Sequence, residues 1–444
     1  MRGLLAALKE ITRYPSAMVG LFILAFILAL AAYAVITIPY GEAIRLWRGG
    51  EATWRYNPRT AAPAWIDYLT PKKLLRTVIL GPEDAQKEVK VLSERTRRLI
   101  FTYTLDYEAD VFPSELAVVF KSQYEKKPPR VEVIWRTPDG REFSFGRQIP
   151  SGKVHWYTVS QDRDLIASLR GAPEEVLFQD PNAPEKTLKG IHTITIKAYV
   201  FEPEADLEAE VVVYGTVYGI AGTDHLRRDI WVALLWGAPI ALAFGLGASF
   251  GITISSIVFA AIGAWFGGWV DAVVQRLTEI RMVIPTLPIL IMVGLFYSKS
   301  IWVILAVLIG LNLIESTVKQ YRAVFLQEKR TPYIEAARSY GARHLRIIFR
   351  YLIPRVIPWV IPSFVLAVPA YVFLEASLSV LGLGDPVLPT WGKLLSDAFS
   401  HGALYHGYYY WVLEPAFLLM LTGFGFTLIG YTLDKVFNPK LREI

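Results

Sequence analysis

The chain has 444 residues, of which 53% are hydrophobic and 19% are charged, and its formal net charge is +6. Soluble proteins contain about 25% charged residues, so this composition is typical of a membrane protein. The sequence has no cysteine, which excludes disulfides, thiol catalysis and cysteine metal sites. Its six histidines show no metal-ligand spacing, and no Gly-x4-Gly-Lys-Ser/Thr phosphate-binding loop occurs. We therefore expect no metal site in this chain. If the protein uses ATP, we expect another chain to hydrolyse it.

The first apolar segment covers residues 17–36, twenty residues without a charge. At about 1.5 Å per residue it spans roughly 30 Å, the thickness of one hydrocarbon core. We predict a first transmembrane helix over residues 17–39, preceded by a cytoplasmic N-terminus, residues 1–16. Cleavage as a signal peptide at Ala32-Tyr33-Ala34 is the alternative, but the apolar run is too long for it.

Residues 40–228 are charged and aromatic and do not resemble a membrane segment. Apolar and polar residues alternate over 131–136 and 141–145, and the Asp-Gly turn at 138–140 between them predicts a hairpin. The same alternation predicts further strands over 191–201 and 208–217. We expect a β-rich, sandwich-like domain, with a helix allowed in the mixed segment 74–96.

Five more apolar spans follow, so the rest of the chain is predicted to be mainly α-helical and to bring the total to six transmembrane helices. The first of these five is rich in glycine and alanine, which lets helix backbones approach closely within lipid. The spans lie near 237–265, 283–299, 301–321, 356–380 and 411–432.

Lysine and arginine are concentrated in alternate connecting segments, which sets the orientation in the membrane. The short loops on one side contain only Lys299 and Lys393. We therefore place both termini in the cytoplasm and residues 40–228 outside the cell membrane. The cytoplasmic segments then contain Arg2, Lys9, Arg13, Arg276, Arg281, a dense group over 319–355, Lys435, Lys440 and Arg442.

A basic segment between the fourth and fifth spans carries the local signals of a short helix. Thr331 and Pro332 predict its start, because a threonine oxygen can cap free N–H groups and proline is tolerated at the first helical position. Glu335 in the first turn suits the helix dipole. Gly341 can adopt the left-handed conformation that ends a helix.

This segment resembles the EAA loop of ABC importer permeases, since a Glu-Ala-Ala triplet at 335–337 is followed by Gly341 and, thirteen residues later, by Pro354. In that family the loop forms a short coupling helix that enters a groove of the ATPase subunit. The resemblance implies that residues 333–346 couple the chain to an ATPase and that the chain has no catalytic residue. The coupling residues implied are Glu335, Ala336, Ala337, Gly341, Ala342 and Arg343.

The residues before the second span resemble the dipeptide/oligopeptide branch of these permeases. Residues 222–229 match its Gly-Thr-Asp-x-Leu-Gly-Arg-Asp pattern, except that Arg227 replaces a glycine. The resemblance is close over 220–440 and loose over 1–40, and it does not extend to most of 41–220. Further matching residues lie at 267–271, 284–285, 375–384 and 391–392.

The resemblance implies the type I ABC importer permease fold for residues 229–444, with a coupling loop over 328–350. It also implies a second, homologous permease subunit, with which this chain forms the solute path. The other implied partners are two ATP-binding subunits that hold ATP and Mg²⁺, an extracytoplasmic solute-binding protein and membrane lipid. We expect no nucleic acid and no cofactor on this chain.

Polar side chains inside predicted spans are candidates for the solute path, and Glu315, Glu375 and Ser379 are these candidates. Lys319, four residues after Glu315, is the predicted partner of its carboxylate. Packing against residues 378–384 is the alternative role for Glu375. Nearer the cytoplasm, Asp271 and Glu279 are predicted to pair with Arg276 and Arg281.

Peptides are the default solute of the branch that the sequence resembles, and oligosaccharides and nickel are the alternatives. The region 40–228 is expected either to be a structural or docking domain or to contact the solute or its binding protein. A membrane-anchored extracytoplasmic binding or assembly protein is the alternative of a different class. It would explain 40–228 but leaves five further spans without a role. A hydrolytic enzyme has no nucleophile–base spacing to support it.

Overall fold

The computed structural model describes residues 14–94 and 96–437. Most of the predicted cytoplasmic N-terminus, with Arg2, Lys9 and Arg13, lies outside these residues, as do Lys440 and Arg442. The described chain divides into two compact units. One is Gly49–Trp231, which we call the β unit, and the other is the remainder, which is helical.

The β unit contains two antiparallel sheets and a short two-stranded ribbon. The four-stranded sheet has the order β1-β11-β4-β7, the five-stranded sheet has the order β2-β3-β10-β5-β6, and β8 pairs with β9. The strands are β1 Val78–Leu80, β2 Gln86–Ser93, β3 Thr96–Tyr107, β4 Glu115–Gln123, β5 Arg130–Arg136, β6 Glu142–Gln148, β7 Val154–Thr158, β8 Gln179–Asp180, β9 Ala183–Thr187, β10 Gly190–Val200 and β11 Asp206–Tyr214. Short helical segments join them at Gly50–Thr53, Ala64–Leu69, Pro82–Asp84, Val159–Gln161, Arg163–Leu169 and Pro173–Val176.

Local sequence signals account for much of this unit. The predicted hairpin is β5 with β6, in which Trp135 opposes Phe143 and Gly140 has the positive φ of +88° that its turn requires. The helix allowed over 74–96 is limited to the 3₁₀ turn Pro82–Asp84, because β1 and β2 occupy most of that segment. Lysine and glutamate in β2 are good helix formers, but tertiary contacts override helix propensity, and pairing with β3 decides the outcome.

One hydrophobic core lies between the two sheets, as expected for a sandwich. Its centre includes Trp135 and the buried ring of His192, whose Nδ1 accepts a hydrogen bond of 3.1 Å from the indole Nε1 of Trp135. Burial lowers the pKa of His192 to about 4. The ring is therefore neutral near pH 7 and acts as a packing group.

The helical unit contains four helices that are long and apolar enough to cross a membrane, counted over the described residues. A bent pair of helices can add a fifth. The helices are Pro15–Thr37, Tyr40–Arg48, Ile230–Phe266, Gly268–Val283, Thr286–Phe296, Ile301–Leu311, Thr317–Glu328, Pro332–Ser339, His344–Ile347, Ile353–Leu378, Trp391–Ser400 and Tyr409–Phe437, with single π-turns at Ile348–Leu352 and Ser379–Leu383. The first residues of Ile230–Phe266, which we call the long helix, belong to the β unit.

Two predicted spans are interrupted. The span near 283–299 falls on a 71° bend between Gly268–Val283 and Thr286–Phe296. The bend follows from Pro285, since the residue before a proline is driven out of the helical region and Ile284 has an extended conformation. The span near 301–321 consists of a helix that ends at Leu311 and a second that begins at Thr317.

A close approach at Gly237 fixes one helix contact of the helical unit. A Cβ on Gly237 would lie 2.1 Å from the ring of Trp391, so only glycine fits. The indole Nε1 of Trp391 donates a hydrogen bond of 2.9 Å to the carbonyl of Leu234 in the same helix turn. The small residues predicted to allow helix packing in lipid do so here.

Arg227 connects the segment before the long helix to the inserted strands. It is buried, its guanidinium lies 4.4 Å from the ring centroid of Tyr214, and it forms an ion pair with Glu115 of β4. Its Nη1 donates a hydrogen bond of 2.7 Å to the carbonyl of Asn57, and its Nε lies 3.3 Å from Glu51. These contacts fix the side chain of Arg227, whose backbone is left-handed with a φ of +63°.

Substitution of Arg227 separates its backbone effect from its side-chain effect. The left-handed conformation costs about 1–2 kcal/mol for a residue with a Cβ, and glycine avoids this cost. We expect both Arg227→Ala and Arg227→Gly to destabilise the β unit, because each leaves Glu115 without this ion pair. The glycine variant should be the more stable of the two by about 1 kcal/mol.

The measurement is amide hydrogen exchange of peptides from β4 and residues 222–230 in the full chain. A glycine variant that exchanges more slowly than the unmodified protein would contradict a net stabilising role for the Arg227 side chain.

Candidate functional site

The EAA loop, residues 328–350, joins the helices Thr317–Glu328 and Ile353–Leu378. Its first helix is Pro332–Ser339, with Pro332 at the first position and Glu335 in the first turn, as the sequence predicts. The predicted cap by Thr331 is wrong. Its hydroxyl donates to the carbonyl of Glu328, at 2.5 Å, and so completes the end of the preceding helix.

Gly341 ends this helix in the conformation that the sequence predicts. Its φ is +77°, its N–H donates to the carbonyl of Arg338 at 2.9 Å, and the N–H of Ala342 donates to the carbonyl of Ala337 at 3.1 Å. This pair of hydrogen bonds is the Schellman arrangement. It reverses the chain sharply and brings His344–Ile347 back beside the first helix.

The inner face of Pro332–Ser339 is formed by Ile334 and Ala337, which are buried and three residues apart. Ile334 packs in a cluster with Trp265, Phe325 and Ile347. Ala337, one of the predicted coupling residues, is therefore a packing residue within this chain. Its small side chain contributes to the fold of the loop and presents little surface outward.

The outer face carries most of the predicted coupling residues. Glu335, Ala336, Gly341 and Arg343 are exposed, and Ala342 is half-buried. Three apolar side chains that sequence reasoning missed share this exposure: Tyr340, which is 91% exposed, Leu345 and Phe349. The sequence could have revealed these three residues. A polar, basic loop lies outside the membrane, so apolar side chains in it have no lipid to contact.

The end of the long helix holds the EAA loop in place. The ammonium of Lys329 donates to the last carbonyls of that helix, at 2.8 Å from residue 264 and 2.6 Å from Trp265. A cation at a helix C-terminus satisfies free carbonyls and interacts favourably with the helix dipole. Burial, together with the nearby charge of Arg338, lowers the pKa of Lys329.

The ring of Trp265 adds two further contacts with the loop. The guanidinium of Arg338 lies 4.5 Å from the ring centroid, a cation–π geometry. The indole Nε1 donates to Nδ1 of His344 at 3.1 Å. Lys329, Arg338 and His344 thus bind one helix end from three positions of the loop, so displacement of the loop must displace that end.

A bidentate ion pair ties the preceding helix to the same region. Nε of Arg322 lies 2.6 Å from Oδ1 of Asp271, and Nη2 binds the second carboxylate oxygen. The predicted pairing of Asp271 with Arg276 or Arg281 is therefore wrong. Glu279 does pair with Arg276, at 2.9 Å.

The candidates for the solute path have different surroundings. The predicted Glu315–Lys319 pair is wrong, since Nζ of Lys319 lies 3.4 Å from Glu279. Glu315 occupies the break before Thr317, where the four-residue spacing of a helix does not apply. It is half-buried.

Glu375 and Ser379 are both buried and are bonded to each other. The carboxylate of Glu375 accepts hydrogen bonds of 2.9 Å from the hydroxyls of Ser379 and Thr390. Thr390 also caps the helix Trp391–Ser400 by accepting from Lys393. The arrangement fits the packing alternative for Glu375.

A family model described as "Binding-protein-dependent transport system inner membrane component" matches residues 234–443. The oligopeptide transport system permease protein OppC of Bacillus subtilis is 32% identical over 224 residues, which cover 50% of this chain and 72% of that protein. The chain belongs to this family of transport permeases. The matched residues include the EAA loop and exclude the β unit.

Other permeases of the family are similar to the same extent. The dipeptide transport system permease protein DppC of Bacillus subtilis is 29% identical over 223 residues, 50% of this chain and 69% of that protein. The glutathione transport system permease protein GsiD of Pectobacterium atrosepticum is 30% identical over 233 residues, 50% of this chain and 73% of that protein. The resemblance found in the sequence is thereby confirmed.

Substitution at Gly341 tests the turn of the EAA loop. A Cβ at this position would meet nothing within 4 Å, so the cost of Gly341→Ala is backbone strain alone, about 1–2 kcal/mol. We expect the amides of residues 341 and 342 to exchange roughly tenfold faster in the alanine variant. Gly341→Asn should have a smaller effect, because asparagine tolerates the left-handed region. Equal exchange in Gly341→Val and the unmodified protein would contradict the left-handed turn.

Proposed function

We propose that this permease imports peptides and that its EAA loop couples solute movement to ATP hydrolysis in separate subunits. The observation that carries the coupling is the two-sided helix Pro332–Ser339. One face is buried against the end of the long helix, and the other presents Glu335 and Ala336 together with Tyr340. A loop that is anchored on one side and exposed on the other suits the transfer of motion from a partner.

The long helix is the element that would carry this motion. It has 37 residues and therefore a length of about 55 Å, which exceeds the hydrocarbon thickness of roughly 30 Å. The contacts at Trp265 would make the end of the long helix move with the EAA loop. The Arg322–Asp271 ion pair would make the next helix, Gly268–Val283, move as well. An ATP-binding subunit that shifts the loop would thereby reorient both helices.

The assembly that we propose contains this chain and a second, related permease, which together enclose the solute path. Two ATP-binding subunits hold ATP and Mg²⁺ and contact the EAA loops from the cytoplasm. A solute-binding protein delivers the solute from outside. The distribution of lysine and arginine supports this orientation, with both termini inside and the β unit outside.

Six membrane crossings are compatible with the helices described. Four long helices and the bent pair account for five. The sixth would cover residues 301–321, with Ile301–Leu311 and only the first residues of Thr317–Glu328, interrupted at residues 312–316. Breaks inside membrane segments occur where the backbone is buried in protein or lines a cavity. This supports Glu315, which lies in the break, as the candidate retained for the solute path.

Peptides are the proposed solute because the relatives are named for oligopeptide, dipeptide and glutathione transport. The charge-reversing variant Glu335→Lys and the turn-disrupting variant Gly341→Val should each abolish ATP-driven uptake of labelled peptide in vesicles that contain the complete transporter. Glu185→Lys, which places the same charge reversal in the β unit, is the matched control and should leave uptake unchanged.

Folding and assembly are checked by the amount of each variant in the membrane. Unchanged uptake in both EAA variants would contradict coupling through this loop. Uptake of an oligosaccharide in place of peptide, with the same sensitivity to Glu335→Lys, would retain the coupling and change the solute.

A further inference from the structure

The β unit exposes a group of large apolar side chains, which we call the Trp65 patch: Trp65, Tyr68, Leu69 and Ile220. Their exposed fractions are 46%, 82%, 74% and 60%. The first three lie on the 3₁₀ helix Ala64–Leu69. Three residues per turn place Trp65 and Tyr68 on the same side of it. Nε1 of Trp65 donates a hydrogen bond of 2.9 Å to the carbonyl of Ile220, which joins the fourth residue to the group.

The patch lies close to the point where the chain enters the long helix. The N–H of Ile230, the first residue of that helix, donates to the carbonyl of Gly222 at 3.1 Å. Ile220 is two residues before Gly222, so at most about 7 Å of chain separates them. The long helix is apolar enough to cross a membrane, and the chain carries no charge between Asp229 and Asp271. The patch is therefore close, along the chain and by hydrogen bonding, to the first residue of a helix that can cross the membrane.

The composition of the patch fits the surface of a bilayer. Tryptophan and tyrosine rings are apolar with one polar atom, and they favour the boundary between hydrocarbon and headgroups. Lys72 lies three residues after the 3₁₀ helix and is exposed, whereas Lys73 is paired with Glu108. Lysine side chains at this level can reach the phosphates of lipid headgroups.

We propose that the Trp65 patch binds the lipid surface of the membrane and seats the β unit on it at the entry of the long helix. Groups of exposed, large apolar side chains mark protein or membrane contacts. Continuity with a membrane-crossing helix favours lipid over a protein partner. The β2 strand, whose Val91 is 72% exposed, is an apolar surface of the same unit without that continuity.

The test uses the natural absence of cysteine. Leu69→Cys and, as the matched control, Val91→Cys are each labelled with a nitroxide in the full chain, reconstituted alone in vesicles of phosphatidylcholine and phosphatidylglycerol. Collision with oxygen, which concentrates in lipid, is compared with collision with a water-soluble nickel chelate. We expect the label at position 69 to favour oxygen severalfold over the label at position 91.

A second labelled variant makes the result independent of the labelled position. A label at Ile220→Cys should favour oxygen less once Tyr68→Ser and Leu69→Ser are introduced together. Equal nickel accessibility at positions 69 and 91 would overturn the proposal. So would protection of position 69 that arises only after the solute-binding protein is added, because the patch would then be a protein docking surface.

Discussion

The contact of the EAA loop with the end of the long helix is the interaction on which the rest of this permease depends. Lys329 donates hydrogen bonds to the free carbonyls at that end, and Arg338 and His344 bind the ring of Trp265. None of these contacts is strong alone, since an exposed cation–π pair contributes about 0.5–1 kcal/mol. Together they fix one face of the loop. The opposite face, with Glu335 and Tyr340, is thereby left open to a partner.

The β unit lies outside the part of the chain that the family model matches, and Arg227 connects its strands to the segment before the long helix. In the sequence, the unit stands between two helices that are long and apolar enough to cross a membrane. Arg227 stands where the resembled sequence pattern has glycine, and its own backbone is left-handed. Its ion pair with Glu115 joins the segment before the long helix to β4.

Features set by neighbouring residues could be predicted from the sequence, and features set by distant contacts could not. The β5–β6 hairpin and the turn at Gly341 follow from local alternation and glycine conformation. The predicted pairing of Glu315 with Lys319 is wrong because no local sequence signal is strong enough to reveal the helix break before Thr317. The Trp265 contacts were missed because Lys329, which binds its carbonyl, and His344, which binds its ring, are 64 and 79 residues away. The candidate coupling residues were chosen by resemblance alone, and the structure separates exposed Ala336 from buried Ala337.

The central claim is that the outer face of Pro332–Ser339 contacts an ATP-binding subunit. It is tested most directly by placing a photoreactive group on Ala336→Cys, the single cysteine in an otherwise cysteine-free chain. The assembly is purified from the native membrane, irradiated, and the cross-linked chain is identified by mass spectrometry. The account predicts a cross-link to a subunit that carries a phosphate-binding loop. A cross-link only to lipid, or to the β unit of another copy, would contradict it.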